Sequence, residues 1–157
     1  MGGVLGGVPL ALGIVAGPGL HDANAARVPS APAHEARVIS LNESGALHLT
    51  SRHGFTLNEQ GSATGTIAGT IYVHLRIVSS SRVTAEVNIY PRGGSISGNG
   101  TAGYRHEGAT GSFSGSMSID RGTGTYNHAQ GSGLSFSGTI RRSDYAVTVH
   151  VRGRVSD

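Results

Sequence analysis

Thr66 to Val78 reads TIAGTIYVHLRIV, with Ile67, Ile71, Val73, Leu75 and Ile77 on one side of an extended chain and Thr70, Tyr72, His74 and Arg76 on the other. Strict alternation with β-branched residues on the apolar side marks a half-buried β-strand. Ser79 to Ser81 interrupt it, and Arg82 to Tyr90 then resumes the same period, with Val83, Ala85, Val87 and Ile89 apolar. The two runs make a hairpin. With Ile77 opposite Val83, Leu75 meets Ala85, Val73 meets Val87 and Ile71 meets Ile89, while His74 meets Glu86 and Tyr72 meets Asn88 on the other face, because side-chain parity is kept across an antiparallel pair. A slip of one residue would turn charge toward the core.

A second hairpin follows near the end of the chain, where Leu134, Phe136, Gly138 and Ile140 pair with Val151, Val149, Val147 and Tyr145 around a turn at Arg141 to Asp144. Shorter strands are expected at Val38 to Thr50, Phe55 to Glu59, Ser95 to Tyr104 and Gly111 to Ile119, about eight in all, and no stretch has helical periodicity. GSATG at Gly61, GSISG at Gly94, GSFSG at Gly111 and GLSFSG ending at Gly138 repeat a small-residue theme. Glycine weakens a strand unless it serves a bend or close packing, so its recurrence points to a curved sheet closed into a barrel. The uneven gaps between these segments argue against a solenoid, which needs a fixed period. The expected fold is all-β, a single antiparallel eight-stranded barrel, and eight strands enclose either a filled core or room for one small ligand.

The composition fits a thin core of small residues. Of 157 residues, 26 are Gly, 31 are Ser or Thr and only 35 are Leu, Ile, Val or Phe, but charged residues are 13% and the net charge is +3, too low for a disordered chain. Cys is absent, which excludes disulfides, thiol nucleophiles and thiolate metal sites. The twelve basic residues, all Arg, are scattered and aromatic residues are 5%, so the basic stripes and stacking platforms of nucleic-acid binders are missing.

Val4 to Leu20 is apolar or Gly apart from two prolines, and Ala23-Asn24-Ala25 follows as a small-x-small cleavage site. This predicts a signal peptide over residues 1–25, a flexible linker with Pro29 and Pro32 over 26–36, and a barrel domain over 37–157, in a protein secreted or exported to the cell envelope. A stable membrane span is not expected, because the apolar run is short and broken by glycine and proline.

Ile119 to Gly138 reads IDRGTGTYNHAQGSGLSFSG, and its G-T-G-x-Y-x-x-A-x-G-x-G core, Gly122 to Gly133, resembles the late-strand signature of the allene oxide cyclase and dirigent barrels. GGSISGNG at Gly93 is similar to the G-x-I-S segment of the same group, and the likeness covers roughly Val83 to Gly153. It implies an eight-stranded barrel with a lipophilic or aromatic cavity open at one end, Tyr126 and Ala129 plugging a short crossover, and self-association into a homo-oligomer. Allene oxide cyclases use a pocket glutamate and a cysteine, and dirigent proteins use acidic and arginine residues. This chain lacks cysteine and its early strands match neither catalytic pattern, so no catalytic residue is carried over.

His74, Arg76 and Glu86, with Tyr72, Asn88 and Tyr90, share one face of the first hairpin, and His150 and Arg152 have the same parity on the last strand. Were that face to line a pocket, Glu86 and His74 would form an acid/base pair and Arg76 would stabilise an anion. On a barrel that buries its apolar face the same residues meet water. The eight histidines are spread singly, with no H-x-H or H-x-x-x-H, so no metal site and no cofactor is expected. Gly98 to Gly103 spells G-x-G-x-x-G, but no βαβ unit surrounds it.

The expected function is binding of a small apolar or aromatic molecule in an interior lined by Val73, Leu75, Val87, Phe113, Met117, Phe136, Val149 and Val151. Two alternatives stand beside it. One is a cyclase or isomerase that shields a reactive intermediate, which would need an ionisable group such as Glu86 or Arg76 inside the barrel. The other is a non-catalytic surface or assembly module.

Overall fold

Each alternating run of the sequence becomes a strand with a hydrogen-bonded neighbour on both sides. The computed structural model describes residues 37–156. It holds eight strands, β1 (Val38–His53), β2 (Thr56–Gly65), β3 (Gly69–Ser79), β4 (Arg82–Pro91), β5 (Gly94–Glu107), β6 (Thr110–Gly124), β7 (Gly131–Arg141) and β8 (Val147–Ser156). Each pairs with the next in sequence and β8 pairs with β1, giving a closed antiparallel barrel. Closure leaves no strand edge exposed, and every strand finds both partners within the barrel itself. The expected signal peptide and linker lie outside the described residues.

The β3–β4 register follows the sequence pattern: Ile77 pairs with Val83, Leu75 with Ala85, Val73 with Val87, Ile71 with Ile89, and His74 with Glu86. The strand starts later than the alternation does. Thr66, Ile67 and Ala68 connect β2 to β3, and Ile67 turns into the core there, only 4% exposed. The first strand does not end at Thr50 as expected: a bulge between Leu49 and Ser51 carries β1 on to His53.

The β7–β8 pairing corrects the sequence reading by two residues. Phe136 faces Val151, Gly138 faces Val149 and Ile140 faces Val147. The turn is longer than expected, because an Arg141–Asp144 ion pair at 2.6 Å and a bond from Arg141 N to Ala146 O at 2.9 Å close it beyond Tyr145. Tyr145 is thereby left outside the strand with φ at 59°. A shift of two keeps every side chain on its expected face.

Inside, apolar side chains from all eight strands form one core, with Leu134, Leu57 and Val155 at 0–1% exposure. Two glycines seat aromatic rings. A Cβ on Gly138 would lie 2.5 Å from the Phe113 ring and 2.1 Å from the Thr148 carbonyl oxygen, and one on Gly111 would lie 2.2 Å from the Tyr104 hydroxyl. The strands therefore give up side chains where a neighbour's ring needs the space. Outside, the wall carries Ser, Thr, Asn, His and Arg, the reverse of the apolar outer band of a membrane-spanning barrel. No helix among the described residues is long and apolar enough to cross a membrane.

Candidate functional site: the barrel interior and its mouth

Inward parity brings Val73, Leu75, Val87, Phe113, Met117, Phe136, Val149 and Val151 to the wall of one interior cavity of about 60 Å³. Phe113 and Phe136 meet inside it at 6.0 Å between ring centroids, tilted by 50°. Gly45, Gly98 and Gly100 also line it, so the space exists partly because these inward positions carry no side chain. The lining is apolar apart from Glu43 and Ser44, and the space is well below the ~150 Å³ of a dry cavity that admits benzene.

A second, larger space of about 260 Å³ opens at the end of the barrel formed by the β1–β2, β3–β4, β5–β6 and β7–β8 turns. Its floor is Leu57, Leu75, Ile77, Val83, Phe113 and Ile140, and its rim is Arg52, Ser79, Ser80, Tyr104, His106, Arg142 and Tyr145. Leu75, Val83 and Phe113 line both spaces and form the partition between them. The bulge in β1 places Arg52 opposite Leu57, on the inward parity of β2. Its Nη1 donates to the Tyr145 hydroxyl at 2.7 Å and its Nε to the Gly54 carbonyl at 3.2 Å.

The ionisable groups inside the barrel are Glu43 and Glu59, which sequence reasoning missed. Glu59 on β2 is 2% exposed and neither carboxylate oxygen has a hydrogen-bond partner. Burial raises its pKa to about 7, and the negative charge of Asp144 adds to the rise. Glu43 on β1 is 3% exposed, and its Oε1 accepts from the backbone N–H of Ile67 while Oε2 is unpartnered. Burial raises its pKa too, against the lowering effect of the backbone N–H groups of Ile67 and Thr66. Glu43 lines the interior cavity. Both signals were present in the sequence, in Leu41-x-Glu43-x-Gly45-x-Leu47 and Leu57-x-Glu59-x-Gly61-x-Ala63, where each glutamate occupies an inward step of the alternation.

His74, Arg76 and Glu86 point the other way. Their neighbours Leu75 and Ala85 are buried, so the pleat puts all three on the outer wall, where they border an open furrow with Thr84, Asn99 and Thr101. His74 hydrogen-bonds Asn58, whose amide in turn donates to Ser51 Oγ at 2.8 Å. The water-facing placement therefore holds for all three, and the carboxyl groups inside the barrel are Glu59 and Glu43. Among the described residues no three His, Asp or Glu side chains converge as a metal site would need.

The class that fold and interior define is a closed, eight-stranded antiparallel barrel with an apolar cavity and two buried carboxyl groups. No protein family, no curated sequence and no solved structure matches the chain.

Proposed function

We propose that the protein is an exported small β-barrel that binds a small apolar or aromatic molecule in its interior, as a member of the allene oxide cyclase and dirigent type of barrel. The observation that carries the binding reading is the apolar cavity under an open mouth, with Phe113 between the two. Recognition sites are concave and mostly apolar, with a few polar groups that fix orientation, and this interior has that make-up. The export reading rests on the apolar leader and its small-x-small site, and the family reading on the Gly122 to Gly133 signature.

Native mass spectrometry on protein purified from its own host tests the reading directly: a stoichiometric adduct that leaves on denaturation is the expected result. Val87→Phe and Val149→Phe, which push a ring into the cavity, are expected to abolish that adduct while the fold persists. A bare mass, together with no uptake of a neutral aromatic such as naphthalene by the parent protein, would sink it.

One observation favours catalysis as a second reading. Glu43 lines the interior cavity with its Oε2 unpartnered, and burial raises its pKa, the direction a general acid needs in an isomerase or cyclase. Under this reading Glu43→Gln leaves the adduct in place and removes turnover of it.

A further inference from the structure

The mouth pocket combines an apolar floor with a rim whose charged members have one sign. Arg52 and Arg142 line it, His106 lines it, and no carboxylate does. Asp144 is drawn out of play by Arg141, which it binds through two hydrogen bonds at 2.8 and 2.6 Å. Neither Arg52 nor Arg142 has a carboxylate partner among the described residues.

Both guanidinium groups are nonetheless pinned. Arg52 spends two N–H groups on the Tyr145 hydroxyl and the Gly54 carbonyl, and Arg142 spends one on the Gly108 carbonyl at 3.3 Å. A guanidinium has five N–H donors, so each is held in place with donors to spare. Held guanidinium groups with unused donors suit a planar carboxylate, because little side-chain freedom is lost on binding. Tyr104, Tyr145 and Phe113 line the same space. Its volume of about 260 Å³ lies just under the ~300 Å³ at which ligand pockets usually begin, which admits one compact ring system and excludes a long acyl chain.

We propose that the mouth binds a compact aromatic carboxylate, with the ring system on Leu57, Leu75 and Phe113 and the carboxylate between Arg52 and Arg142. This deepens the reading of the barrel as an apolar-ligand binder and rests on it.

The test titrates the barrel domain, residues 37–157, whose strands all find their partners within it, with naphthoate and with the uncharged methyl naphthoate, following probe fluorescence. Naphthoate is expected to bind more tightly than its ester. Arg52→Gln and Arg142→Gln are each expected to weaken naphthoate by about tenfold or more, the usual loss for a hydrogen bond to a charged group, and to leave the ester unchanged. The unchanged ester affinity shows that the variants are folded. Arg121→Gln, which lowers net charge by the same amount on the outside of β6, is expected to change neither. Equal affinity for acid and ester, or naphthoate binding indifferent to both arginines, overturns the proposal while leaving the interior site standing. A long-chain fatty acid binding better than naphthoate overturns the compact ligand class. If neither acid nor ester binds, the apolar-ligand reading itself falls and this proposal with it.

Discussion

Arg52 and Tyr145 meet across the mouth of the barrel: the guanidinium donates to the phenol oxygen at 2.7 Å and its central carbon lies 5.3 Å from the ring centroid. One residue sits at the end of β1 and the other in the β7–β8 turn, so the contact ties together parts of the rim that are remote in sequence. Tyr145 keeps this position in a left-handed conformation that L residues enter at a cost. Tyr145→Phe keeps the ring and removes the acceptor. A loss of about 1 kcal/mol of unfolding free energy is expected in urea titration, in line with one hydrogen bond. An unchanged midpoint would show that the pair contributes nothing to stability.

Glu59 makes the fold sensitive to pH in a defined direction. Folded, its carboxyl keeps the proton to about pH 7; in the unfolded chain it releases it near 4.5. The protonated form is therefore the one the barrel favours, so the contribution of Glu59 to stability is greatest below 4.5, falls as pH rises toward 7, and levels off above it. The fall is expected to be at most roughly 3.5 kcal/mol, at ~1.4 kcal/mol for each tenfold change in the protonation equilibrium between 4.5 and about 7. Glu59→Gln should flatten this slope and be more stable than the parent at pH ~8. A parent protein equally stable across that range would refute the assignment.

Gly138→Ala should be among the most damaging single changes. Its Cβ would meet both the Phe113 ring and the Thr148 carbonyl oxygen, and the second is backbone that cannot swing aside. An overpacking cost of ~3 kcal/mol or more is expected from thermal or chemical unfolding. Phe113→Ala in the same chain should not rescue it, because the clash with Thr148 remains. Full rescue would show that the ring alone dictates the glycine.

Outward residues should be silent. His74→Ala and Glu86→Gln, both on the exposed wall, are expected to move stability by less than ~0.5 kcal/mol and to leave ligand uptake unchanged. A loss of uptake in either variant would move the functional site to the outer furrow.

The β3–β4 register was legible, though not the start of β3, because both strands alternate and a three-serine break limits the possible registers. The β7–β8 register was legible only to its parity. Alternation repeats every two residues, so a shift of two satisfies it equally, and the choice was made by the Arg141–Asp144 pair and a turn that leaves Tyr145 out. The apolar lining of the cavity followed from the same parity. Glu43 and Glu59 were overlooked because the interior was read from apolar residues alone, although both stand on inward steps. Which ring covers which glycine depends on the alignment of neighbouring strands, and a single strand's sequence does not contain it.

Seven of the eight strand pairings join neighbours along the chain, and only β1 with β8 joins distant ones, as between Ser44 and His150, 106 positions apart. Hairpins close over short loops and form early, while a pairing at such separation bears the largest loss of chain entropy. The barrel is therefore closed by a zip at β1 and β8, the pairing expected to form last. Glu43 lies on it, paired with Val151, so one of the two buried carboxyl groups is sealed from water only once the cylinder has shut.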